Sequence, residues 1–154
     1  MQRPPEIMSR AQIPEHLRLK VKDRAMALCE YCLLRQEDGI HAFHIDHVIA
    51  EKHRGPTEEH NLCLACSHCN RSKGSDVATI LQGRFVRLYN PRIECWSDHF
   101  VLDGPLIKAR SRIGTATIHV LGLNEPDRVE KRSLLIHAGC YPSPAALQLM
   151  HRLG

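Results

Sequence analysis

The stretch that decides the fold runs from residue 29 to residue 74 and contains Cys29-Glu-Tyr-Cys32, His44-Ile-Asp-His47 and Cys66-Ser-His-Cys69-Asn-Arg-Ser-Lys-Gly74. A CxxC pair places two thiolates on one tight turn, and 33 residues separate the two pairs. Two such pairs supply the four soft ligands of a closed tetrahedral zinc site. The sequence therefore predicts a structural Zn²⁺ bound by Cys29, Cys32, Cys66 and Cys69; the alternative is that these cysteines only pack in the core.

The residues around the cysteines predict a short mixed fold. A helix is expected from Pro14 to the first CxxC, because apolar residues recur there at helical spacing. Residues 40–49 and 61–64 favour two strands, joined by a polar loop at 51–59. A helix is predicted over residues 70–81. Strand, loop, strand and helix, with zinc at both ends, form a ββα metal finger.

The second half of the chain is less regular. Strands are predicted at 85–88, 96–102 and 106–109, followed by helices at 115–123, with Thr115 as N-cap, and at 126–137. The fold class is therefore α+β, with an N-terminal helix and a C-terminal α/β extension. The predicted organisation is a tail at 1–12, a core at 13–81, an extension at 82–141 packed on that core, and a second tail at 142–154.

Length, composition and net charge limit the expected size, location and partner of the protein. The chain has 154 residues, 43% of them apolar, which is enough for one domain with a real core. It has no apolar run of 18 residues and no signal-peptide pattern, so a cytoplasmic protein with no membrane contact is expected. A formal net charge of +4 is mild support for a nucleic-acid partner. The oligomeric state stays open.

Residues CEYC, HIDHVIAEKHRG and HNLCLACSHCNRSKG resemble the HNH endonucleases, in the zinc-stapled form with two CxxC pairs. The resemblance covers roughly residues 10 to 81, and a weaker similarity to small bacterial HNH proteins continues beyond it. It implies a ββα-metal (His-Me) finger that hydrolyses DNA phosphodiester bonds with a divalent cation.

The resemblance also implies roles for the polar residues of the finger. His47 would be the general base that takes a proton from water, since a neutral imidazole can accept one near pH 7. Asp46 would be a hard oxygen ligand for Mg²⁺ or Mn²⁺. Asn70 stands where many members carry a third histidine, as also happens in the HNH domains of CRISPR effector nucleases. We expect Asn70 to be the second metal ligand; the alternative is a cap of the following helix.

Three further expectations concern the surroundings of this site. Asn61 matches the middle letter of the motif, and its amide is expected to hold the loop and strand that present His47. His44 could support either metal site or be a packed or surface histidine. Arg71 and Lys73 are candidates for contacts with the DNA backbone, because cations and helix N-termini both attract phosphate.

Two classes of function follow. The first is a metal-dependent endonuclease with 5′-phosphate and 3′-hydroxyl products. The second is a zinc-stapled nucleic-acid-binding module that does not cut. The set Asp46, His47, Asn61 and Asn70 favours the enzyme, since a binding module has no need of an imidazole beside a carboxylate. DNA or RNA as target, nicking or double-strand cleavage, and a role in restriction, phage defence, mobile elements or repair stay open.

Overall fold

The computed structural model describes residues 12–154, so the predicted tail at 1–12 lies outside the described residues except for Gln12. The helices are α1 (Glu15–Arg24), α2 (Ser67–Lys73), α3 (Trp96–His99), α4 (Arg112–Leu121), α5 (Pro126–His137) and α6 (Pro144–Met150). The strands are β1 (His44–His47), β2 (Leu62–Ala65), β3 (Ala78–Leu81), β4 (Arg84–Arg87), β5 (Phe100–Asp103) and β6 (Leu106–Ala109). This is the predicted α+β class.

Strands β1 and β2 and helix α2 form the predicted ββα unit. The two strands pair antiparallel with Asp46 opposite Cys63 and His47 opposite Leu62. All four residues of β2 are buried, so this strand is the centre of the unit. Strand β1 is shorter than the predicted 40–49, because only four of those residues pair with β2.

The predicted helix over residues 70–81 is wrong in its second half. Helix α2 ends at Lys73 because Gly74 follows with φ of +52°, a conformation that favours glycine. Residues 78–81 instead form β3, which pairs with β4. The two central residues of their turn, Gln82 and Gly83, both have positive φ, as a two-residue hairpin turn of type I′ requires.

The prediction of strands at 85–88, 96–102 and 106–109 also needs correction. Residues 96–99 are one helical turn, and the strand starts only at Phe100 and pairs with β6. Trp96 and Phe100 are both buried, which agrees with core packing. Helix α4 begins earlier than expected, because the side chain of Ser111, not Thr115, caps it by accepting a hydrogen bond from Gly114 N at 3.0 Å.

The predicted tail at 142–154 is a further correction, since it contains helix α6. Ser143 is its N-cap, with its side chain accepting from Ala146 N at 3.1 Å, and Pro144 occupies the first turn. Ala146 and Leu149 are buried, so the helix is held by packing. The expected boundary between the core and the extension, after residue 81, falls in the β3–β4 turn. A boundary there would separate two paired strands.

One continuous core runs through both halves of the chain. It contains Leu28 and Tyr31 near the first CxxC, Leu62 and Leu64 on β2, and Trp96 on α3. Across residues 12–154, no helix has the length and apolar character needed to cross a membrane.

Candidate active site and metal centre

The four cysteines of the two CxxC pairs converge on one buried point. Their sulfur atoms all lie within 4.8 Å of one another. The first pair lies on the turn after α1, where Cys29 N donates to Leu34 O at 2.8 Å. In the second pair, Cys66 caps α2, and its sulfur accepts from Cys69 N at 3.4 Å. Backbone N–H groups that point at sulfur are suited to thiolate ligands.

This cluster fits a structural zinc ion. The sulfurs of Cys32 and Cys66 are 3.8 Å apart, and a tetrahedral site with Zn–S bonds of about 2.3 Å separates its sulfurs by about 3.8 Å. Hydrogen bonding with Cys29 lowers the pKa of both these thiols, while burial raises the pKa of Cys29 and Cys69. The spacing and the depth of the site both suit a closed centre that excludes water.

The second half of the chain supplies a cation to this cluster. Nη2 of Arg128, on α5, donates to the sulfur of Cys69 at 2.9 Å, and its Nη1 donates to Leu121 O at 2.8 Å. Arg128 is only 8% exposed. Four thiolates around Zn²⁺ carry a net charge of about −2, so a buried guanidinium beside them offsets part of that charge.

Two more side chains from the second half bond the backbone of the first CxxC turn. Nε1 of Trp96 donates to Tyr31 O at 2.9 Å, and the Tyr141 hydroxyl donates to Cys32 O at 2.8 Å. Both carbonyls are thereby satisfied in the interior, where an unpaired carbonyl would be costly. The geometry of this turn therefore depends on residues far along the chain.

His47 lies at the end of β1, where the strand meets the following loop. Its Nε2 is 2.9 Å from the Thr57 hydroxyl oxygen, ten residues along the chain. Thr57 was not among the residues predicted from the sequence. Its position in the loop between His47 and Asn61 was the only available signal.

Asn61 is buried and bonds the backbone of that loop. Its Oδ1 accepts from Ile49 N at 2.9 Å, and its Nδ2 donates to Ile49 O and to Pro56 O, each at 2.9 Å. Gly55 makes this close approach possible, since a Cβ there would lie 1.7 Å from Ile49 O and 2.8 Å from Asn61 Nδ2. The amide thus spans the loop that carries Thr57, in the manner expected of a positioning residue.

Asp46 is joined to α2 by an ion pair. Oδ2 of Asp46 is 3.1 Å from Nζ of Lys73, which also donates to His47 O at 3.0 Å. Apart from this ammonium, the same buried carboxylate oxygen has no polar partner within residues 12–154. Burial raises the pKa of Asp46 above its ordinary value, and Lys73 opposes part of that shift. Lys73 is only 2% exposed, and its ammonium faces Asp46; its contact with the DNA backbone stays a prediction.

Helix α2 brings Asn70 to the same side as Lys73. The two residues are three positions apart, so they lie on one helix face, and Lys73 on that face contacts Asp46. The other predicted cation, Arg71, is exposed and lines a cavity of about 250 Å³ shared with Arg128 and Lys131 of α5. The structure therefore separates Arg71 from the Asp46 side of α2.

The remaining histidines of the finger are peripheral. His44 is exposed at the start of β1. His60 forms an exposed ion-pair contact with Glu58, and Nε2 of His68 lies 2.9 Å from Glu125. Within the described range, the cysteine cluster is the single place where three or more Cys, His or carboxylate side chains could hold one metal ion.

Comparison with known proteins agrees with these features. The family model described as HNH endonuclease matches residues 29–76. The Septu protein PtuB of Bacillus thuringiensis is 24% identical over 124 residues, which are 79% of this chain and 46% of the relative. The chain thus spans about half the length of that curated relative. No solved structure matches the chain.

The matched segment begins at the first zinc-site cysteine and ends just after α2, so it contains both CxxC pairs and the whole ββα unit. The sequence resemblance is thereby confirmed for this segment. Residues 29–76 of this chain match the model of the HNH endonuclease family.

Proposed function

We propose that this protein is a metal-dependent endonuclease that hydrolyses phosphodiester bonds in DNA. His47 is the general base, Asp46 and Asn70 hold a catalytic Mg²⁺ or Mn²⁺, and Asn61 positions the loop. The four cysteines hold a structural Zn²⁺. The observation that carries the proposal is the contact of α2 with the end of β1, because Lys73 contacts Asp46 and His47 together.

The donor set at this point suits a hard divalent cation. The Lys73 ammonium is the one polar contact of the buried Asp46 Oδ2 among the described residues, so a divalent cation bound there would share this carboxylate with Lys73. Carboxylate and amide oxygens are the ligands that Mg²⁺ accepts, together with water and substrate phosphate. When bound, such a cation would stabilise charge on the scissile phosphate and on the leaving oxygen. Lys73 lowers the pKa of this buried carboxyl and so favours its ionised form, against the effect of burial.

The contact of His47 with Thr57 supports its role as a base. If Nε2 carries the ring proton and donates to the Thr57 hydroxyl, Nδ1 is the unprotonated nitrogen that can accept a proton. His47 would take a proton from a water molecule whose oxygen bonds to phosphorus. The bond from phosphorus to the 3′ oxygen breaks, and that oxygen gains a proton. The products are a 5′-phosphate and a 3′-hydroxyl.

Cleavage of supercoiled plasmid tests this proposal. Purified zinc-loaded protein is incubated with Mg²⁺, with Mn²⁺ or without added cation, and His47→Ala is compared with wild type. His44→Ala is the matched control, because His44 is an exposed histidine on the same strand. We expect nicked or linear plasmid only with added cation, no cleavage by His47→Ala, and wild-type cleavage by His44→Ala. Zinc content is measured in all three proteins.

The second candidate is the non-catalytic binding module. The Lys73 ammonium is the observation in its favour, because it occupies a position next to the Asp46 carboxylate where a divalent cation would otherwise bind. A zinc-replete protein that retards plasmid and RNA in a gel, yet leaves both intact with every cation, would favour this module over the nuclease.

A further inference from the structure

The β3–β4 hairpin has one face buried and one face open. Val86 and Leu81 lie on the face that packs toward α4, and Val86 is 8% exposed. Ile80 and Phe85 are opposite each other in the register, so their side chains share the other face. Ile80 is 62% exposed and Phe85 is 83% exposed.

Phe85 differs from every other aromatic side chain of the protein. The sequence has one Trp, three Tyr and three Phe, all of them within the described residues. The six besides Phe85 are buried, with exposures of 7% or less: Tyr31, Phe43, Tyr89, Trp96, Phe100 and Tyr141. A fold that buries the rest of its scarce aromatic residues while exposing one of them presents that ring for contact with another molecule.

Two cations without an ion pair among the described residues lie at the turn end of this hairpin, next to Phe85 in the chain or beside Leu81. Residues 78–87 contain Arg84 and Arg87 and have no acidic residue. Arg87 is paired with Glu94 at 2.6 Å. Arg84 is exposed at the tip and forms no ion pair within the described part of the chain. Arg112, at the start of α4, lies beside the hairpin, donating to Leu81 O at 3.4 Å, and is also without an ion pair within residues 12–154.

The hairpin follows directly after the helix of the proposed active site. Lys73, which contacts Asp46, is the last residue of α2, and Ile80 is seven residues further along. Seven residues span at most about 25 Å. A nucleic acid several nucleotides long that lies across Asp46 and His47 can therefore reach the open face of the hairpin.

We propose that Phe85 stacks on a base of the bound nucleic acid, while Arg84 and Arg112 contact its backbone phosphates. This inference rests on the proposed function for the class of ligand, and it names a contact that lies outside the HNH motif. An exposed aromatic ring on a hairpin whose turn end carries these two cations suits a nucleic acid, because every base has a flat face and every linkage has a negative charge. The base comes from a single strand or from an unpaired position in a duplex.

Binding is measured with oligonucleotides that carry the fluorescent base 2-aminopurine, as a single strand, a perfect duplex and a duplex with a bulge. Zinc-loaded protein is used without added Mg²⁺ or Mn²⁺, so that binding is separated from cleavage. Phe85→Ala should weaken binding by about 5- to 100-fold and remove the change in 2-aminopurine fluorescence. Phe85→Trp should retain both. If only the single strand changes its fluorescence, the stacked base comes from a single strand. If only the bulged duplex does, the base comes from an unpaired position in a duplex.

Leu134→Ala is the matched control, because Leu134 is a 66% exposed apolar residue on α5. It should bind as wild type does. Arg84→Gln should make binding less dependent on salt, by about one phosphate contact. Wild-type affinity in Phe85→Ala would overturn the proposal, and so would a wild-type protein that binds none of the probes.

The oligomeric state of Phe85→Ala is measured by sedimentation. A wild-type dimer that becomes a monomer in this variant, with unchanged affinity for the probes, would assign the hairpin face to a second copy of the chain. Plasmid cleavage distinguishes this inference from the proposed function. Binding that depends on Phe85, without any cleavage, would support the hairpin contact and refute the nuclease. Cleavage by the wild type, together with normal binding by Phe85→Ala, would support the nuclease and refute the hairpin contact.

Discussion

Nζ of Lys73 lies 3.1 Å from Oδ2 of Asp46, and this buried ion pair joins α2 to the end of β1. Breaking one side of such a pair leaves an uncompensated charge, which typically costs about 3–5 kcal/mol of stability. We expect Lys73→Met to lose stability on that order, measured by urea unfolding with zinc content monitored. The double variant Asp46→Asn/Lys73→Met should recover most of the loss. A loss in the double variant equal to the sum of the losses in Lys73→Met and Asp46→Asn would show that the pair is not coupled.

Thr57 is expected to orient His47, the proposed general base. Thr57→Val keeps the shape of the side chain but removes the oxygen 2.9 Å from His47 Nε2. A misdirected imidazole lowers the rate of proton transfer, so kcat should fall by about 10- to 100-fold with little change in KM. Thr57→Ser, which keeps the hydroxyl, should remain close to wild type. A Thr57→Ser enzyme as slow as Thr57→Val would assign the effect to packing.

Gly55 should tolerate no larger side chain. Gly55→Ala would place a Cβ 1.7 Å from Ile49 O, a backbone atom that cannot move without breaking the contacts of Asn61. We expect a loss of more than about 2 kcal/mol in unfolding free energy and loss of cleavage. Gly83→Ala is the comparison, since nothing lies within 4 Å of that position and only its φ of +74° opposes a side chain. Its cost should be about 1–2 kcal/mol.

Arg128 is expected to strengthen metal binding. Arg128→Met removes the guanidinium 2.9 Å from the Cys69 sulfur, and loss of such a contact typically lowers metal affinity by 10- to 100-fold. Competition with a chromogenic chelator measures the zinc affinity. Arg132→Met is the control, because Arg132 is similarly buried on the same helix but donates to carbonyls of Pro105 and Leu123. It should destabilise the fold without changing the zinc affinity of the folded protein.

Complete removal of the metal should unfold the centre of the protein. Binding of zinc to such small modules is worth on the order of 10 kcal/mol, and that energy is also folding energy. The ββα unit has one buried four-residue strand at its centre, so the core of the unit itself is small. Circular dichroism during titration with a chelator should show a cooperative loss of structure. Retention of the native spectrum in zinc-free protein would contradict this expectation.

The predictable part of the fold is the part that depends on local spacing. Each CxxC pair has to lie on a tight turn. In the sequence, the second pair comes directly after β2 and at the start of α2. The cysteine cluster and the order strand, strand, helix could therefore be predicted. Asn61 was placed by its position in the motif. In each case, the residues that meet are joined by a turn or loop whose chemistry is visible in the sequence.

The missed features depend on partners far apart in the chain or on one residue that outweighs its neighbours. The contact of Arg128 with Cys69 joins residues 59 positions apart, and no local pattern shows it. From the sequence alone, Lys73 cannot be told from a surface cation, because its contact with Asp46 is visible only in the structure. Gly74 stops α2 although the residues after it favour a helix, and Ser143 starts α6 where two prolines suggested an unstructured tail.

The hydrogen bonds that Trp96 and Tyr141 donate to the first CxxC turn also set an order of events during synthesis. All four cysteines leave the ribosome before Trp96, and Tyr141 emerges more than 70 residues after Cys69. The nascent chain can therefore capture its metal while the carbonyls of Tyr31 and Cys32 still face water. We expect docking of the later residues to exclude water from this turn, so that the extension closes over the finger after metal binding.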